Sequence, residues 1–140
     1  MARIQQKQFD AMNYASNPNL LINSCECEIY SSDENGVNDI CKLIPKISNK
    51  GLGEALDIRV EVRNKKFSLS ERILVDEVIQ EAVYLEPDLV TISERLDFLT
   101  TSFTLIYTNK FSYEIRENYK IQTVFLPDSW ETAQVIVIKE

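Results

Sequence analysis

Ser68-Leu69-Ser70-Glu71-Arg72-Ile73-Leu74-Val75-Asp76-Glu77-Val78-Ile79-Gln80-Glu81-Ala82-Val83-Tyr84-Leu85 is the stretch on which the fold class turns. Ser68 with Glu71 three positions later has the form of a capping box, in which each side chain takes up a backbone N–H at a helix start. Leu74, Val75, Val78, Ile79, Ala82 and Val83 then recur at helical spacing, and Arg72, Asp76, Glu77, Gln80 and Glu81 fill the other side. The pattern predicts a helix over about 69–85, ended by Pro87.

Shorter helices are expected on both sides of it. Residues 3–15 place Ile4, Phe9, Met12 and Ala15 near one side and stop at Asn17-Pro18-Asn19. Residues 33–43 read as a helix ending before Pro45. Leu96, Phe98 and Leu99 belong to a connecting segment, read as a short helix capped by Ser93. Strands are expected where apolar and polar residues alternate. Between Leu20 and Tyr30, Cys25, Cys27 and Ile29 alternate with Glu26 and Glu28. From Ala55 to Arg63, Leu56, Ile58, Val60 and Val62 lie on one face, and Asp57, Arg59, Glu61 and Arg63 on the other. Thr101–Tyr107 and Phe111–Ile115 flank a turn at Asn109-Lys110. Ile121–Leu126 and Ala133–Ile138 flank Pro127-Asp128-Ser129. The run Val135-Ile136-Val137-Ile138 predicts a strand buried on both faces or covered by a partner. The expected fold class is α+β, a single domain over 1–140 with helices packed on a mostly antiparallel sheet.

Composition removes several functions. The chain has no histidine, so Ser-His-Asp and Cys-His catalysis have no base. Three thiols, Cys25, Cys27 and Cys41, fall short of the four ligands of structural zinc and read as small buried side chains. A net charge of −7 without a basic cluster disfavours nucleic acid. No apolar run is long enough for a membrane helix. The start Met-Ala-Arg-Ile-Gln-Gln-Lys-Gln lacks a hydrophobic signal core, so synthesis and retention in the cytoplasm are expected unless an assembly carries the chain out. Phosphate-binding glycine loops are absent. A carboxylate pair such as Asp57 and Glu117 has only abundance to recommend it as a glycosidase.

One segment resembles a catalytic signature. Ser48-Asn49-Lys50-Gly51-Leu52-Gly53-Glu54-Ala55-Leu56-Asp57-Ile58 is similar to S-x-H-x-x-G-x-A-x-D-[IL], the first metal-binding signature of the zinc D-alanyl-D-alanine peptidases (the M15, or hedgehog-type, family). Ser48, Gly53, Ala55, Asp57 and Ile58 match, and Lys50 stands in the histidine's place. Glu117-Asn118-Tyr119-Lys120 resembles the second signature, E-x-x-H, again with lysine for histidine. The family's S-G-Y-R arginine has no counterpart; Ser24-Cys25-Glu26-Cys27 is the nearest segment. The competing reading of Ser48 to Gly53 is a glycine loop leading into a strand.

The resemblance implies a peptidase-like scaffold with a dismantled metal site. A lysine ammonium has no lone pair for zinc. Lys50 and Lys120 would instead pair with Asp57 and Glu117 in a vestigial cluster. No metal, cofactor, small-molecule substrate or catalysis is then expected. The family's use in bacteriophage, and a composition rich in Asn, Ile, Lys, Tyr and Ser, lead to a structural subunit of a phage particle. Its partners would be other virion proteins or further copies of itself, and its place the virion head, neck or tail attachment. A peptidoglycan peptidase or peptidoglycan-binding module and a cytoplasmic adaptor are the alternatives.

Overall fold

A computed structural model of the chain describes residues 17–31, 39–86, 89–92, 98–127 and 132–140. Ten strands follow in order: β1 (Leu20–Ser31), β2 (Asp39–Asn49), β3 (Ala55–Val62), β4 (Lys65–Ile73), β5 (Val78–Gln80), β6 (Val83–Leu85), β7 (Thr91–Ile92), β8 (Phe98–Thr108), β9 (Glu114–Phe125) and β10 (Thr132–Lys139). They form two antiparallel sheets. In the smaller, β2 pairs with β1 on one side and with β5 and β6, end to end, on the other. The larger runs β10-β9-β8-β3-β4, with β7 on β8 beyond the end of β3. One apolar core draws on both, from Leu20, Leu43 and Leu85 in the small sheet to Val60, Leu105 and Ile121 in the large one.

The α+β expectation is therefore overturned: the described residues contain no α-helix, and no layer of helices packs on either sheet. The decisive stretch 68–85 is strand, turn, strand and strand. Arg63 and Asn64 both have positive φ (46° and 72°) and join Val62 to Lys65 as a two-residue hairpin turn. That turn commits Ser68 to the ladder opposite Arg59, so the capping pattern has no helix to cap. Leu69 and Ile73 are four apart, a spacing that suits period 2 as well as period 3.6, and both are buried strand positions. Asp76, at φ 64°, turns the chain between β4 and β5. Leu74, Val75 and Val78 of the expected helical stripe are exposed.

Of the helix expected over 33–43, residues 39–43 are strand β2, and 33–38 lie outside the described residues. The helix over 3–15 and the segment at 93–97 lie outside them too, while Phe98 and Leu99 open β8. In place of two strands at 111–115 and 121–126 there is one, β9, which begins only at Glu114 and runs unbroken to Phe125. A bulge lies between Leu56 and Arg59 where β3 meets β8, and Asp57 within it has φ 52°. It shifts the parity of β3, so Ala55 takes the buried position and Leu56 is half-buried.

β10 is the end strand of its sheet and lies against β1 of the other. Val135 and Val137 pack on the core, whereas Ile136 is half-buried and Ile138 exposed, so the strand is not buried on both faces. The β1 edge is closed without a ladder. Leu20 N–H donates to the Tyr107 hydroxyl at 3.3 Å and Ile22 N–H to the Tyr119 hydroxyl at 3.5 Å. Farther along, the Thr132 hydroxyl donates to the Cys27 carbonyl at 2.8 Å. β4, the other outer strand, carries exposed Lys65, Lys66, Glu71 and Arg72, charges that discourage strand addition.

Candidate interaction surface

At one end of the molecule the loops 17–19, 50–54 and 74–77 meet on one residue. Asn49 is fully buried at the end of β2. Its Nδ2 donates to the carbonyls of Gly53 (2.9 Å) and Ile73 (3.1 Å). Its Oδ1 accepts from the N–H groups of Gly51 (3.0 Å) and Asn19 (3.2 Å). Its backbone joins the third loop: Asp76 N–H donates to Asn49 O, and Asn49 N–H to Glu77 O. A buried amide with every polar site used fixes its surroundings, because any shift strands several groups at once.

Gly51 is required for a steric reason. A Cβ there would stand 2.3 Å from Asn19 N and 2.5 Å from Asn17 O. The loops are cross-tied by Lys50 N–H to Asn19 O and Leu52 N–H to Asn17 O. Asn17 reaches the β8–β9 loop as well, its Oδ1 accepting from Asn109 Nδ2 at 2.8 Å. Buried Asn109 organises that loop in turn, its Oδ1 accepting from Phe111 N–H and Tyr113 N–H.

These rigidly held loops leave apolar side chains in water. Leu52 is 74 % exposed, and Leu74, Val75, Val78 and Tyr113 are each close to half exposed. Lys50, Glu54, Asp76, Glu77 and Lys110 lie in the same loops. Exposed apolar groups among charged ones on hydrogen-bonded loops are suited to contact with another macromolecule.

The four residues of the vestigial metal site are not brought together. Lys50 is an exposed loop residue. Asp57, at the β3 bulge, binds Arg59 at 2.8 Å, and Arg59 also reaches Glu114 at 3.1 Å. The Arg116 guanidinium bonds Glu114 in turn and holds that carboxyl below its usual range. Glu117 faces inward, accepts from the Tyr107 hydroxyl at 3.1 Å and pairs with Lys139 at 3.5 Å. Lys120 is three positions from Glu117 along one strand and so lies on the opposite face. Asp57 adjoins Leu56, the partner of Thr108, and Lys120 is opposite Ser102, which separates them by roughly 20 Å along β8 at strand rise. Among the described residues no three His, Cys, Asp or Glu side chains stand where they could hold a metal ion.

The letters of the resemblance have structural explanations here. Ser48 is buried and accepts from Asn23 Nδ2 at 2.9 Å. The Gly53 carbonyl serves Asn49, Ala55 and Ile58 are core, and Asp57 is the bulge. The role of Asn49, which occupies a variable position of the signature, was not foreseen; an asparagine beside glycines at a strand end is its only trace in the sequence.

Compared with models of known protein families, with curated proteins and with solved structures, the chain has no match.

Proposed function

We propose that the chain is a non-enzymatic structural subunit that docks onto other protein chains through its Asn49-centred loop end. The observation that carries this reading is Leu52, three-quarters exposed on a loop whose backbone is locked from beneath by a fully buried amide. Rigidity at an exposed apolar group reduces the entropy lost on docking. Two of the sheet edges support the same reading, since β1 is tied within the chain at Leu20, Ile22 and Cys27 and β4 is charged. Strand addition at those two edges is thus disfavoured, whereas the exposed loop side chains are open to docking.

The assembly proposed is a virus particle of the bacteriophage type. Two-sheet β-folds recur among capsid proteins, which is an argument by fold analogy. In particles purified from producing cells, the chain should co-sediment in fixed ratio with the major proteins. Leu52→Asp and Val75→Asp should keep the β-sheet circular dichroism spectrum and drop out of the particle. Recovery of the unaltered chain only as a free monomer would oppose the proposal.

A further inference from the structure

The inward face of β1 carries Cys25 and Cys27, and Cys41 stands on the neighbouring strand β2. Cys27 and Cys41 are both buried, and their Sγ atoms lie 3.6 Å apart. In the ladder they are diagonal neighbours, Cys27 opposite Leu43 and Cys41 opposite Ile29. A disulfide needs about 2.05 Å between sulfurs, so closure asks the sulfurs to approach by about 1.5 Å, and because a diagonal pair stands wider than a directly opposed one the two strands must also draw together there.

Cys25 is differently placed. Its Sγ is turned to the carbonyl of Glu26 at 3.4 Å, and burial pushes its thiol up to about 12. Next to Cys27 stands Thr123, fully buried, with a hydroxyl that has no hydrogen-bond partner in the thiol state. That hydroxyl and the Cys41 thiol can both donate to a Cys27 thiolate. With two donors beside it, Cys27 is taken as the attacking sulfur and Cys41 as the resolving one.

We propose that Cys27 and Cys41 form a specific dithiol–disulfide site that staples β1 to β2 beside the β10 seam. The oxidant is a small disulfide such as oxidised glutathione, met during folding or when the β1 edge opens. The Cys27 thiolate attacks one glutathione sulfur, a Cys27–glutathione bond forms, and the first glutathione leaves as thiolate and takes a proton. Cys41 then loses its proton and its sulfur attacks Cys27. The Cys27–Cys41 bond forms as the second glutathione leaves. Two protein thiols are oxidised and one glutathione disulfide is reduced to two thiols.

The test is refolding of the full chain in a mixture of reduced and oxidised glutathione, followed by acid quench, thiol titration and mapping of the linked peptides. The native monomer should fall from three free thiols to one, that of Cys25, with Cys27 and Cys41 in one linked pair. Its β-sheet spectrum should be kept and its denaturant midpoint raised. Cys25→Ser should close the same bond. Three free thiols at the most oxidising ratio, a link that includes Cys25, bonds only between chains, or a lowered midpoint would each overturn the proposal. The wild-type map decides the matter even if Cys27→Ser or Cys41→Ser fails to fold.

Discussion

The β1 seam and the Asn49 loop end handle unsatisfied surface in opposite ways. At the seam, an edge strand would expose backbone donors, and the chain answers them from within. Tyr107 and Tyr119 place hydroxyls on the N–H groups of Leu20 and Ile22, and Thr132 donates to Cys27 O. At the loop end the backbone is equally well answered, by Asn49 and Asn109, yet Leu52, Leu74 and Val75 are left in water. The difference separates two kinds of need. An unpaired backbone group costs stability in the isolated chain, so it is met locally. Exposed aliphatic side chains cost little in isolation and gain only when something covers them.

The sharpest way to break this contrast is to remove the frame beneath the loops. Asn49→Ala strands two N–H groups and two carbonyls in buried or part-buried positions, and should cost about 3 kcal/mol or more in denaturant unfolding. A loss below about 1 kcal/mol would mean that water replaces the amide and that the loops are not locked.

The seam is tested more gently. Tyr107→Phe removes the acceptor for Leu20 N–H and the donor to Glu117, at an expected cost of about 1–2 kcal/mol. The same variant should leave docking intact. Loss of assembly without loss of stability would move the interface from the loop end to the seam.

Alkali offers a further separation. Burial raises the Tyr107 and Tyr119 hydroxyls and the Cys25 thiol above their ordinary values, near 10.0 for tyrosine and 9.0 for cysteine. The folded state therefore keeps protons that the unfolded chain releases. Their contribution is fully present below those values and is lost as pH rises past them. Urea midpoints should be flat near neutrality and fall from about pH 9 upward. Tyr107→Phe should flatten part of that fall, measured alongside phenolate absorbance. A midpoint that rises through the same window would contradict the buried hydroxyls.

Much of the β-structure could be read from sequence, because β1, β3, β8 and β10 carry alternation or apolar runs that strands require. The stretch 68–85 could not. Leu69 and Ile73 satisfy both periods, and what decides between them is non-local: the positive-φ turn at Arg63-Asn64 and the pairing of β4 with β3. A helical stripe and an exposed turn also draw on the same residues, Leu74, Val75 and Val78, so the signal of the interaction surface was absorbed into an imagined core. The Ser48–Ile58 stretch was legible as a glycine loop leading into a strand. The resemblance implied that Glu117 and Lys120 belong to one cluster, but within one strand an odd spacing sends the two side chains to opposite faces.

Co-sedimentation of Leu52→Asp and Val75→Asp with particles from producing cells tests the central claim most directly. Both substitutions lie at exposed positions and should change folding stability by no more than about 0.5 kcal/mol. The account predicts folded monomers that no longer enter the assembly, while an exposed substitution remote from the loops, Lys66→Asp on β4, enters normally. Normal incorporation of both loop variants would contradict it and leave the loop end without a role in assembly.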